Sequence, residues 1–242
     1  MRSCMAGLLM AVLFCVSPAL AQSEDTAAAF RRGNESATRS RWDDALSEYA
    51  RLAANDVRAP SLYWNWAQAA AASGRKGLAL WALLRAQELS PGDSSTARDI
   101  ERLRLELGLD PSEVSLGFFG DLRFVARRFH FDALALGVVF VSVLLLFGSK
   151  PRSSLALGCC LAGVLLVSPF FLSTWQAPRG VVVQKEAPLM DVARNHAVAL
   201  ANLREGEVVP LLGEEGEYVK IQDASGARGF AHKGDVRRIG TE

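Results

Sequence analysis

The sequence predicts a multi-domain chain in three parts: an all-α repeat domain, a two-helix transmembrane hairpin and a small C-terminal all-β module. Three observations predict it. Residues 24–107 match themselves at a shift of 34. Two long apolar runs follow, joined by a short basic turn. After Pro178 the composition changes to short β-branched runs separated by glycine-containing turns.

Composition narrows the function classes. The chain has 242 residues, half of them apolar, and a formal net charge of +1. A nucleic-acid binder carries a basic excess on one face, which this balance does not suggest. Cys4, Cys15, Cys159 and Cys160 all lie in apolar runs, so disulfides hold neither soluble region. Adjacent Cys159 and Cys160 read as small apolar residues rather than a metal or redox pair.

Residues 1–21 read as a signal peptide. Arg2 gives a positive start, and Gly7 to Val16 is an apolar run too short to span a bilayer comfortably. Pro18 breaks the helix, and Ala19-Leu20-Ala21 is an A-x-A cleavage site, which predicts a mature start at Gln22. Phe14 before Cys15 argues against a lipoprotein signal, which needs a small residue there. An uncleaved anchor helix is the alternative, and both readings export Ser23 onward.

Residues 22–110 form the repeat domain. At a shift of 34, Phe30 meets Trp64, Gly33 meets Ala67, Asn34 meets Gln68, Ala45 meets Ala79 and Tyr49 meets Leu83. Small positions meet small ones, and large apolar positions meet large ones. That period belongs to the tetratricopeptide repeat, a helix-turn-helix unit. Tyr63, Trp66, Ala67, Gly74, Ala79, Leu83, Ala86, Leu89 and Pro91 fall at its consensus spacing. Gly74 opens the inner turn, and Pro91 ends the second helix because it has no backbone N–H. Asp93-Ser94-Ser95 offers a cap for a further helix through about Leu107. Arg98, Glu101, Arg102 and Glu106 give that helix the polar face a terminal element requires. A plain helical hairpin is the simpler alternative. Arrays usually need about three units, so two and a cap is lean.

An amphipathic linker is expected over 111–128, with Arg123, Arg127 and Arg128 placed to meet lipid phosphates. Membrane helices are expected over 129–148 and 155–175, with a cytoplasmic turn at 149–154. Leu155 to Trp175 carries no charge over 21 residues, enough to cross about 30 Å of hydrocarbon. Ala133 to Phe147 is a weaker span. Lys150 and Arg152 in the turn favour the cytoplasmic side. The three arginines before the first span oppose that orientation, and the leader outweighs them.

The β module covers 179–240. Strands are expected at Val181 to Val183, Ala199 to Leu203, Val208 to Leu212, Tyr218 to Ile221 and Phe230-Ala231. About 60 residues make a marginal core for a module standing alone.

Two resemblances extend this reading. Leu203-x-x-Gly206, Gly216-Glu-Tyr218-Val-Lys-Ile221 and Gly226-x-x-Gly229-Phe230-Ala231 resemble the bacterial SH3-like domain. That implies an all-β SH3-like barrel, with Tyr218 and Phe230 standing where the family usually has tryptophans and marking its candidate ligand surface. The order of leader, tetratricopeptide repeats, two spans and SH3-like tail resembles the BatE-like proteins of bacterial aerotolerance (Bat) operons. The run Leu62-Tyr63-Trp64-Asn65 through Leu89-Ser90-Pro91-Gly92-Asp93 resembles that family's repeat core. With the leader and the basic turn, the expectation is a two-pass protein of a bacterial inner membrane, with both soluble domains periplasmic. The partners implied by the resemblance are Bat proteins with von Willebrand A domains, a MoxR-type ATPase system and membrane lipid.

No catalytic motif is present. His130, His196 and His232 lack metal-ligand spacing, and there is no G-x-S-x-G, P-loop or H-E-x-x-H. Asp43-Asp44 and Glu214-Glu215 read as solvated acids. The expectation is therefore a non-enzymatic scaffold with no cofactor and no metal, binding protein partners. Resemblance to the repeat family places Phe30, Asn34, Trp64 and Gln68 on the first helices, whose exposed faces line its groove. Each aromatic lies four residues before an amide, so the two share a helical face. The alternative is an envelope-sensing or peptidoglycan-binding protein acting through the SH3-like domain.

Overall fold

The computed structural model describes residues 25–115, 177–194 and 197–240, with isolated positions between 121 and 168. Six helices come first: α1 over 25–38, α2 (Trp42–Ala54), α3 (Pro60–Ala72), α4 (Lys76–Leu89), α5 (Ser94–Leu107) and the single turn α6 (Pro111–Val114). Trp42 and Lys76 open α2 and α4, and Pro60 and Ser94 open α3 and α5, each pair 34 residues apart.

Small residues let these helices approach. Ala67, Ala70 and Ala79 are fully buried along α3 and α4. Gly33 on α1 faces Tyr49, and a Cβ there would lie 2.6 Å from the ring. Gly74 follows α3 at φ +77°, a left-handed conformation that glycine adopts without steric cost. Asp93 caps α5 by accepting from the backbone N–H groups of Ser95 and Thr96. The hydroxyls of Thr96 and Ser95, with the Ser95 N–H, hold its carboxyl at about 2, well below its ordinary 3.8.

Seven strands follow: β1 (Arg179–Val182), β2 (Ala187–Met190), β3 (Ala199–Leu203), β4 (Val208–Glu215), β5 (Tyr218–Gln222), β6 (Arg228–His232) and β7 (Val236–Arg238). They form an antiparallel sheet in the order β3-β2-β6-β5-β4-β1-β7. The first part of β4 pairs with β1, and after an irregularity between Leu211 and Gly213 its end pairs with β5. A strand that changes partner at a bulge turns a corner, so both halves face one core. Val182 and Val236 meet Leu189, Val209, Ile221 and Ala231 there. On β5, Val219 and Ile221 point inward while Lys220 is exposed, the two-residue period of a strand.

The helical part and the sheet are packed on each other. Val181, Val208 and Ile239 belong to the same apolar cluster as the helices. The α4 N-terminus receives no cap from its own side chains; Glu205 reaches across and accepts from the Gly77 N–H at 2.7 Å. A carboxylate at a helix N-terminus both satisfies an orphan donor and meets the positive end of the dipole. Further along α4, the Trp81 Nε1–H donates to the Arg238 carbonyl at 2.8 Å. The Arg237 guanidinium lies 4.3 Å from the Trp81 ring centre and 4.8 Å from that of Trp66. Those two rings meet nearly at right angles, so the cation occupies their corner. Beyond α5, Arg204 of the sheet pairs with Glu113 at 2.9 Å and donates to the Gly108 carbonyl.

The membrane expectations need correction. Among the described residues no helix is long and apolar enough to cross a membrane. The longest continuously described helices reach 14 residues, against the roughly 20 that a span requires. A fold built around a transmembrane hairpin does not hold, and neither does the two-pass inner-membrane placement with periplasmic domains. The reason is physical. An apolar run shows only that a segment avoids water; spanning needs one unbroken helix. The expected spans at 129–148 and 155–175 lie almost wholly outside the described residues, as do the leader, the turn at 149–154 and Arg123, Arg127 and Arg128 of the linker. Within the linker, α6 carries a capping box in which Glu113 accepts from the Asp110 N–H.

Two outcomes follow from these contacts. Asp93 is a stronger acid in the folded chain than in the unfolded one, so its stabilisation is present above about pH 4 and fades as pH falls towards about 2. Asp93→Asn keeps a cap without a titrating charge. Circular dichroism between pH 4 and 2 should show a smaller acid-dependent loss of helix in that variant than in the parent chain. At Gly77, a Cβ would lie 2.6 Å from the Val182 carbonyl oxygen. Glycine to alanine in a helix normally gains up to about 1 kcal/mol, whereas overpacking costs about 1–3 kcal/mol. Because the obstacle is backbone, the clash should win. Urea unfolding of Gly77→Ala should show a net loss, and a net gain would show that sheet and helices are not in contact there.

Candidate protein-binding face

Three helices related by the repeat, α1, α3 and α5, are joined by side-chain hydrogen bonds. The Asn34 carbonyl oxygen accepts from the Tyr49 hydroxyl at 2.8 Å and from Asn65 Nδ2 at 2.9 Å. On the next step, the Asp99 carboxylate accepts from Trp64 Nε1 at 3.2 Å and from Gln68 Nε2 at 3.4 Å. Its second oxygen accepts from Arg102 at 2.8 Å. Burial pushes the Tyr49 hydroxyl up to about 12, so it remains a donor throughout the ordinary pH range.

These bonds sort the four residues singled out in the sequence. Phe30 is half-buried, and its ring lies 6.3 Å from that of Tyr49 in the helical core. It packs rather than presents a surface. Asn34 uses its carbonyl oxygen within the fold. Trp64 is different: 37% of it is exposed, and its Nε1–H is held by Asp99. Gln68 is exposed beside it. The exposed pair is therefore Trp64 and Gln68, oriented by one carboxylate.

Asn65 and Asp99 were not among the candidate binding residues, and Arg102 was read only as part of the polar face of the terminal helix, yet the 34-residue shift relates Asn65 to Asp99 and Gln68 to Arg102. The signal was present, but repeat matching rewards like residues, and these positions differ in charge.

The two aromatics of the β module do not share a cleft. Tyr218 is buried, edge-on to His232 at 5.8 Å. Phe230 is half-buried beneath the Lys220 ammonium, 5.8 Å from the ring centre. A cleft of about 450 Å³ lies beside Tyr218 and His232, walled by Arg194, Glu215 and Glu217. Phe230 does not line it. Ala19 and Ala21, the expected cleavage residues, lie outside the described residues. Among the described residues no group of three or more His, Cys, Asp or Glu side chains is placed to hold a metal.

No protein-family model matches the chain, and comparison with curated proteins finds no match. The resemblance to BatE-like proteins therefore rests on the residues quoted for it alone.

The two amides should respond differently to truncation. Asn34→Ala leaves the buried Tyr49 hydroxyl and the Asn65 amide without their acceptor, which should cost about 1–3 kcal/mol. Gln68→Ala removes an exposed side chain and should stay within about 0.5 kcal/mol. Equilibrium denaturation of the two single variants checks the contrast; equal effects would remove Asn34 from its structural role.

Proposed function

We propose that the chain is a non-catalytic interaction scaffold that captures an extended segment of a partner protein on the face shared by α1, α3 and α5. One observation carries the reading: the part-exposed Trp64 ring, fixed through its Nε1–H by Asp99 and flanked by the exposed Gln68. An aromatic already held in place loses little freedom on binding, and aromatic anchors dominate interface energetics. The Gln68 carbonyl oxygen has no partner among the described residues, so it can accept from a peptide N–H. Arg102 at the edge of the face supplies charge-assisted recognition of an acidic side chain. The resemblance drawn from the sequence puts von Willebrand A-domain Bat proteins and a MoxR-type ATPase system first among partners to try.

The test uses the full chain. Proteins co-purifying with tagged wild type are identified and compared with those held by Trp64→Ala/Gln68→Ala. With each lost hydrogen bond worth about 1 kcal/mol, and the ring contact in addition, recovery of a true partner should drop at least several-fold. Full recovery by a folded double variant would remove this face from the mechanism.

A further inference from the structure

The meeting of helices and sheet leaves a cleft of about 440 Å³, lined by Asp56, Arg58, Tyr63, Trp81, Arg85, Arg237 and Arg238. Its volume lies within the range of small-ligand pockets, about 300–1,000 Å³. The positive charges of arginines in one cleft repel each other unless anions offset them. Two are offset: Arg58 pairs with Asp56 at 2.7 Å, and Arg85 with Glu88 at 2.8 Å. Arg237 and Arg238 form no ion pair among the described residues. Arg238 follows Arg237 on β7, so its side chain leaves the opposite face of the strand, towards Glu214, which is bridged to Lys233 at 2.7 Å.

Arg237 is the more telling of the two. It is half-buried, and its guanidinium lies against the Trp81 and Trp66 rings in their corner. A guanidinium carries five N–H donors. Those donors have no acceptor among the described residues. Burial lowers the affinity of Arg237 for its proton, and among the described residues no carboxylate pairs with it. A partly buried cation without a carboxylate partner gains when an anion reaches it. Arg85, 6% exposed and seated over Tyr63 at 5.3 Å, forms a second fixed wall.

We infer that this cleft is an oxyanion-binding site, taking a carboxylate or phosphate group on Arg237 beside Arg58. Guanidinium forks match the two oxygens of either group, and a fork already fixed by two indoles needs little further ordering. The ligand's remaining atoms lie against Tyr63 and Trp81, which favours a small apolar or planar body attached to the anion. The site lies apart from Trp64 and Gln68 and does not depend on the helical face proposed above.

The experiment follows the thermal midpoint and tryptophan emission of the full chain. The probes are inorganic phosphate and succinate, each at constant ionic strength against chloride. Saturable stabilisation by phosphate alone assigns a phosphate-bearing ligand, by succinate alone a carboxylate ligand, and by both a general oxyanion site. Each of these outcomes supports the inference. Arg58→Gln alters an exposed side chain and should fold with a near-parental midpoint, yet bind roughly ten-fold more weakly. Arg237→Lys keeps a charge without the fork and should weaken binding by a similar factor. No saturable response in the parent chain to either probe overturns the inference. So does an unchanged response in both variants.

Discussion

The structure depends on the docking of the sheet against α4. Three contacts of different kind lie along this one helix: an N-terminus capped by Glu205, the Trp81 hydrogen bond to the β7 backbone, and Arg237 in the Trp66–Trp81 corner. Each constrains a different freedom. The cap fixes where the helix begins against the sheet, the Trp81 bond fixes its register, and the cation sets its rotation. Val181, Val208 and Ile239 fill the space between them with apolar contact.

This contact explains how so short an array stands. A helical hairpin repeat cannot bury both faces alone, and solenoids solve the problem by stacking further units. Here α5 covers one side and the sheet the other. Helix α4 accordingly buries Gly77 and then every residue from Ala79 to Ala86, including Arg85. A helix apolar nearly all round belongs in an interior, not on a surface. The β module gains in return, since a core of this size is marginal without a neighbour.

What was legible follows from which forces act locally. The 34-residue period, the Gly74 turn and the Asp93 cap depend on residues close in sequence, so the helices α2 to α5 can be read directly from it. Strands β1 and β5 show as β-branched or alternating runs. Strand β2 (Ala-Pro-Leu-Met) carries a proline, and β7 (Val-Arg-Arg) two charges, so local propensity argues against both. They form because tertiary pairing overrides it. The docking itself has no local signature: Gly77 and Glu205 are 128 residues apart, and Trp81 and Arg238 are 157 apart. In the sequence Trp66 falls at the repeat spacing, and nothing beside it points to Arg237. The membrane hairpin rests likewise on hydropathy, which is a local signal.

The candidate sites divide along the same line. On the helical face, resemblance to a repeat family pointed to Trp64 and Gln68, and both are exposed. It could not separate them from Phe30 and Asn34, because exposure is decided by the neighbouring helix. Phe30 lies against Tyr49, and Asn34 is engaged by Tyr49 and Asn65. Trp64 instead meets a carboxylate on α5 and keeps part of its ring exposed. Which of two aromatics at equivalent repeat positions packs and which stays exposed is thus set by the neighbour each one meets, a ring for Phe30 and a carboxylate for Trp64.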